Sequence, residues 1–257
     1  MEVGNTPLIK LSDKLYGKLE SVNPGGSIKD RPVKYILDDA EKRGILQRGS
    51  GQVIAEATSG NTGISLAMMC AERGYKCQIV MPSDMSEERK KMLKFFGARL
   101  YEVEAGNFDE AIKVKNDMCA YDGWFTLDQF DNHLNIKCHR ETTFEEIVNE
   151  PINPKTISAF VLGTGTGGTL MGLKQGVDEY SLPAKMIAVE PSESPVMSGG
   201  EKGLHGIQGI GDGSKFLVDL NKVDEVITIS TEEAKHRALH LARYNGLFVG
   251  VSAGANV

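Results

Sequence analysis

Gly163-Thr164-Gly165-Thr166-Gly167-Gly168-Thr169 is the stretch around which the rest of the chain arranges itself. An apolar run, Ala159-Phe160-Val161-Leu162, leads into it and has the character of a buried parallel strand. A helical pattern follows from Leu170 to Val177. A glycine-rich turn between a strand and a helix N-terminus gathers bare backbone N–H groups at the positive end of a helix dipole. That is an anion site, and the usual anion is a phosphate. The glycines let the ligand approach the backbone, and the threonine hydroxyls add donors.

Gly163, Gly165 and Gly168 fit G-x-G-x-x-G. A second apolar strand, Met186 to Val189, ends in Glu190, about twenty residues past the last glycine, where a dinucleotide-binding fold would hold its ribose. A nucleotide-dependent oxidoreductase is therefore one reading of this half of the chain, and a tight βα turn with no ligand is another. Outward from the loop, strand and helix patterns alternate. Strands are expected at 52–57, 77–81, 99–103, 223–229 and 247–251, and helices at 28–42, 64–73, 86–96, 108–119 and 231–244. Short strands at 8–11 and 15–19 open the chain, and a helix ending near Asn149 follows a polar break at Asp128 to Asn132. Such alternation implies parallel sheets with right-handed crossovers.

The 257 residues suffice for one large α/β domain or two smaller ones. Hydrophobic residues make up 40% and charged residues 25%, an ordinary balance for a globular protein. The formal net charge of -6 builds no basic field for nucleic acid or anionic lipid. The one basic cluster, Arg89-Lys90-Lys91 with Lys94, reads as a solvated helix face. No apolar run approaches membrane-spanning length, and no export signal opens the chain. Four cysteines without C-x-x-C spacing point to a reducing cytoplasm, with Cys70 and Cys77 as packing residues. His236 and His240, four apart on one helix, lack an evident third partner for a metal.

Further loops carry chemistry. In Asn23-Pro24-Gly25-Gly26-Ser27, Ser27 is expected to cap a helix, with Asp30 completing a capping box. Lys29 then falls in the first turn, where the dipole disfavours a cation and lowers the cost of a neutral, nucleophilic amine. Thr58-Ser59-Gly60-Asn61-Thr62-Gly63 is another polar turn between a strand and a helix, suited to a carboxylate or to a second part of the same ligand. The passage from Ser198 to Gly213 is too polar and glycine-rich for a core and reads as a functional loop.

Asn23 to Arg31, Thr58 to Gly63, Gly163 to Thr169 and Gly250-Val251-Ser252-Ala253-Gly254 occur in the order and at the separations found in cysteine synthases. The whole chain resembles these O-acetylserine sulfhydrylases, pyridoxal-phosphate enzymes of the tryptophan-synthase β type (fold type II). It departs from them at Asn132-His133-Leu134-Asn135 and at Thr143-Phe144-Glu145-Glu146. The resemblance implies two doubly wound parallel-sheet α/β domains with the cofactor between them. The smaller is 24–130, and the larger, which binds the cofactor phosphate, is 1–23 plus 131–257.

The resemblance also assigns residues. It implies that Lys29 forms the Schiff base, that Gly165, Thr166, Gly167, Gly168 and Thr169 hold the phosphate, and that Asn61 and Ser252 contact the ring oxygen and ring nitrogen. Thr58, Ser59, Gly60, Thr62, Gln129 and Gly209 would bind substrate. The implied reaction forms L-cysteine from O-acetyl-L-serine and sulfide. It runs through aldimine exchange at Lys29, α-proton abstraction, acetate loss and addition of sulfide to an aminoacrylate. No metal is implied. A homodimer and the C-terminal peptide of serine acetyltransferase are the implied partners, without nucleic acid or membrane. The alternatives are a cystathionine β-synthase-like enzyme, a member using O-phosphoserine or thiosulfate, and a non-catalytic relative that binds a peptide. The last, a truncated form, arises because family chains continue past Ser252 with a segment near the ring nitrogen.

Overall fold

A computed structural model describes residues 1–58, 60–211, 214 and 216–257. The chain divides into two compact units, one made of Met1–Val3 and Glu20–Gln129, the other of Gly4–Leu19 and Phe130–Val257.

The chain opens with β1 (Leu8–Lys10) and β2 (Tyr16–Lys18), paired antiparallel as a hairpin that belongs to the second unit. Every other strand pairing described is parallel. In the first unit, α1 (Asp30–Lys42), β3 (Val53–Ala57), α2 (Asn61–Arg73), β4 (Lys76–Pro82), α3 (Glu87–Phe95), β5 (Arg99–Val103), α4 (Phe108–Asp122) and β6 (Phe125–Thr126) follow in order. The sheet order is β5-β4-β3-β6. The buried faces of β3 and β4 are near-continuous apolar runs, with Ile54, Ala55, Ile79, Val80 and Met81 fully enclosed, as strands covered on both sides require. Cys70 and Cys77 are buried free thiols, and their contact together with burial pushes the Cys77 thiol up.

The second unit holds α5 (His133–His139), a five-residue π turn (Arg140–Phe144), α6 (Glu145–Val148), β7 (Ala159–Gly163), α7 (Gly168–Glu179), β8 (Lys185–Pro191), β9 (Glu225–Ile229), α8 (Thr231–Asn245) and α9 (Val251–Ala255). Its sheet runs β7-β8-β9. Phe144, Leu170, Leu173, Met186 and Ala188 form the centre of its core. At the π turn Arg140 lies over the Phe144 and Tyr180 rings, 5.2 and 5.4 Å from their centroids, and pairs with Glu145 and Glu179.

The structure corrects four sequence expectations. No strand forms at 247–251. The Leu247 N–H is taken by the Leu241 carbonyl at the end of α8, Phe248 is exposed, and Val251 already opens α9. The capping box at Ser27 does not form. α1 starts at Asp30, Ser27 Oγ accepts from the Lys29 N–H at 3.2 Å, and the Asp30 carboxylate turns instead to the Gly25 N–H (2.6 Å) and the Ser65 hydroxyl. The basic cluster is not wholly solvated, because Lys90 is buried against the Ser83 carbonyl and Glu102, each at 2.7 Å. The glycine-rich passage after Glu190 does contribute to a core, since Ile207 and Ile210 pack with Val189, Ala234 and Ala255.

Candidate active site

In the first unit, the Thr58 to Gly63 loop and Gln129 follow β3 and β6, at the C-terminal ends of parallel strands, where open α/β sheets place ligands. The asparagine loop before α1 is rigid by construction. Buried Asn23 donates to the Glu20 carbonyl (3.0 Å) and carboxylate (2.8 Å), and Gly26 takes φ +78° to close the turn. Buried Arg31 grips the Glu20 carboxylate with two nitrogens at 2.7 and 2.8 Å. Burial pushes the fully enclosed Asp30 carboxyl up, and the bonds from Ser65 and Gly25 pull it back. Half-buried Lys29 stands at the N-cap of α1 within this framework.

Thr58 to Gly63 joins β3 to α2. Thr58 Oγ1 accepts from the Gly60 N–H at 3.2 Å, and α2 begins at Asn61 with no acidic residue in its first turn. A helix start without a carboxylate of its own suits an anion. Thr62 and Gln129 are both buried, and Thr62 Oγ1 donates to Gln129 Oε1 at 2.7 Å. Asn61 is exposed at the helix start. Ser59 lies outside the described residues.

One step upstream, Glu56 is 1% exposed. One carboxylate oxygen accepts from the Ala57 N–H at 3.0 Å, and the other has no hydrogen-bond partner. Burial pushes this carboxyl up to about 7, against the pull of the Lys115 charge. The folded state therefore holds the Glu56 proton more tightly than the unfolded chain. Its stabilising contribution is complete below the ordinary glutamate value and falls as pH rises toward 7, by up to roughly 3 kcal/mol. Glu56→Gln should abolish that decline. Urea midpoints at pH 4.5 and 7.5 check it, and equal pH slopes in variant and wild type would refute it.

In the second unit, the loop between β7 and α7 is tied down from all sides. The Thr164 hydroxyl donates to the Val189 carbonyl (3.1 Å), and the Gly211 N–H and Leu217 N–H donate to the Thr164 and Thr166 carbonyls (2.9 and 3.1 Å). Gly167 has φ +85°, and a Cβ there would strike Val218. α7 is twelve residues long with no acidic residue in its first turn. Asn256 at the end of α9 accepts from the Gly163 N–H at 2.6 Å, tethering the helix that carries Ser252 to the strand that leads into the loop. Gly209, with φ +93°, stands exposed in the neighbouring turn.

The donor set suits a phosphate ester: consecutive backbone N–H groups at a helix start, two hydroxyls and no carboxylate. The dinucleotide alternative is overturned at its acidic residue. Glu190 is buried, and its carboxylate is consumed by the Met197 N–H (2.7 Å), the Ser198 N–H (2.9 Å) and the Ser198 hydroxyl (2.6 Å). It anchors a loop, with both carboxylate oxygens engaged and the group 2% exposed, and is not turned out toward a ribose.

Two buried side chains near this loop have no role in the sequence reading. Asn135 Nδ2 donates to Thr166 Oγ1 at 3.0 Å, and His139 Nε2 lies 3.2 Å from Thr169 Oγ1. The signal that could have found them is the glycine at every fourth position of α7, namely 168, 172 and 176. A Cβ at these positions would collide with Asn135, with Ile136 and His139, and with Phe144 respectively. The period brings α5 and the π turn onto α7 at backbone distance.

The chain belongs to the pyridoxal-phosphate dependent enzyme family, whose sequence profile matches residues 1–257. Within it, a curated cysteine synthase from Flavobacterium sp. is 40% identical over 96% of this chain and 82% of its own length. The crystal structure of a cysteine synthase from Entamoeba histolytica superposes with TM-score 0.90 at 38% identity, covering 98% of this chain and 78% of that one. That of an O-ureido-L-serine synthase does so with TM-score 0.92 at 36% identity, covering 99% and 82%. Among the described residues, no helix is long and apolar enough to cross a membrane.

Proposed function

We propose that this chain forms L-cysteine from O-acetyl-L-serine and sulfide by β-replacement, with pyridoxal phosphate as its cofactor. The likeness to cysteine synthases across nearly the whole chain carries the proposal. The family membership and the carboxylate-free helix start at Gly168 support the cofactor. When bound, pyridoxal phosphate supplies an electron sink for negative charge at the α-carbon of an amino acid.

The residues divide the remaining work. Lys29 Nζ would hold the cofactor's aldehyde carbon. As a free amine it would take the substrate's α-proton as acetate leaves the β-carbon, and return a proton to the α-carbon when sulfide has added there. Gly165, Thr166, Gly167, Gly168 and Thr169 hold the phosphate, Asn61 the ring oxygen and Ser252 the ring nitrogen. A serine is a neutral partner that does not force that nitrogen to stay protonated. This suits expulsion of a β-leaving group better than transamination. Thr58, Ser59, Gly60, Gln129 and Gly209 take the substrate, and Thr62 acts through Gln129, to which its hydroxyl is committed.

Thr62→Ala removes the hydroxyl that donates to the buried Gln129 Oε1, a loss of about 1–3 kcal/mol. It should raise the Kd for the amino acid roughly ten- to a hundredfold and leave cofactor affinity nearly unchanged. Titration of each ligand checks this, and equal loss of both would make the loop merely structural.

The reaction is tested by loading purified protein with pyridoxal phosphate and supplying O-acetylserine with and without sulfide. Cysteine and acetate should appear in equal amounts when sulfide is present. Cofactor uptake without cysteine would overturn the reaction, and no uptake would overturn the cofactor assignment. The proposal includes a homodimer, binding of the serine acetyltransferase C-terminal peptide, and a cytoplasmic location. Sedimentation and titration with that peptide test the first two.

A further inference from the structure

We propose that α5 is a template for the glycine loop: Asn135 and His139 hold the Thr166 and Thr169 hydroxyls from behind, so that both O–H groups are aimed at the cofactor phosphate. His139 is then a positioning residue for Thr169. This rests on the pyridoxal-phosphate reading above.

The geometry is local to one helix pair. Asn135 and His139 are four residues apart and so share one face of α5. They are each 2% exposed, which shuts out competing water. A hydroxyl has one proton to give and two lone pairs to accept with. Thr166 Oγ1 accepts from Asn135 Nδ2 at 3.0 Å and from the Gly168 N–H at 3.3 Å, so its proton is what remains for a ligand.

The His139 ring spans two threonines, with Nδ1 at 2.9 Å from Thr143 Oγ1 and Nε2 at 3.2 Å from Thr169 Oγ1. A neutral ring permits two directions of donation. In one, Thr143 gives its proton to Nδ1 and Nε2–H donates to Thr169, whose own proton is free for a phosphate oxygen. In the other, Thr169 spends its proton on Nε2 and turns only lone pairs outward. A phosphate anion selects the first. The close approach needs Gly172, where a Cβ would fall 2.7 Å from the His139 Cβ. The π turn that follows immediately supplies Thr143 to the far side of the ring.

The test measures Kd for pyridoxal phosphate and for pyridoxal, which lacks the phosphate, by absorbance titration of the wild type and five variants. His139→Leu removes both ring contacts. His139→Gln places an N–H near the Nε2 position, and His139→Asn reaches only the Nδ1 position. Thr169→Val and the His139→Leu/Thr169→Val pair complete the set.

His139→Leu should weaken pyridoxal phosphate about tenfold or more, leave pyridoxal unchanged, and add little once Thr169 is valine. His139→Gln should restore binding to within about threefold of wild type, and His139→Asn should not. Equal weakening of both ligands, or an undiminished effect of His139→Leu in the Thr169→Val background, would overturn the proposal. If the leucine variant does not fold, the glutamine and asparagine variants carry the comparison, and equal affinities for them would overturn it. A wild type that does not take up pyridoxal phosphate would overturn the underlying cofactor reading instead.

Discussion

Lys29→Ala is expected to abolish the visible absorption that the wild type acquires with pyridoxal phosphate, and with it cysteine formation. The surroundings make this a clean test. Asp30 and Arg31, the two residues after Lys29, are buried and hold the loop through Gly25, Ser65 and Glu20. None of those bonds involves the Lys29 side chain, so the loop should keep its shape when the amine is removed. The phosphate contacts assigned to Gly165 to Thr169 are untouched, and the cofactor should still bind, though without the covalent hold. Loss of a positioned acid–base group alone costs about 10²- to 10⁴-fold in rate, and loss of the covalent step adds to it. Absorbance spectra and a single-turnover cysteine assay make the measurement. A variant that keeps both the visible band and wild-type turnover would remove Lys29 from the chemistry.

Gly168→Ala and Gly176→Ala should separate binding from packing along a single helix. A Cβ at Gly168 would collide with the Asn135 amide, and one at Gly176 with the Phe144 ring. Asn135 and Phe144 are both buried. Overpacking of this kind costs about 1–3 kcal/mol, so the two variants should lose similar amounts of stability. Only Gly168→Ala also displaces the partner of Thr166 and intrudes on the first turn of α7. It should lower affinity for pyridoxal phosphate by roughly ten- to a hundredfold, equivalent to about 1.5–3 kcal/mol for a bond to a charged group. Urea midpoints and cofactor titration together make the comparison. A Gly176→Ala variant that loses as much cofactor affinity as Gly168→Ala would show that α7 responds as one rigid body.

The amino-acid order alone determined the alternation of strand and helix, the parallel pairing it demands, and the loops that carry chemistry. Those features are local: an apolar run of strand length, a glycine turn and a helix start lie within about ten residues of one another. Thr58 to Gly63 and Gly163 to Thr169 were legible for that reason, as was the sheet built around β3 and β4. Tertiary structure decided what depends on partners far along the chain. Ser27 and Asp30 have capping-box spacing, yet the nearby Gly25 N–H and Ser65 from α2 compete for the Asp30 carboxylate and win. Leu247 to Val251 is as apolar as a strand, yet the end of α8 takes its first N–H. Glu190 has the position of a ribose ligand, and only the fold turns the Met197 and Ser198 N–H groups onto it. Asn135 and His139 lie about thirty residues from Thr166 and Thr169, whose hydroxyls they meet. The glycine period of α7 marks a face that another helix can approach closely, but no local pattern names the partner, because the pairing exists only where two helices meet at glycine distance.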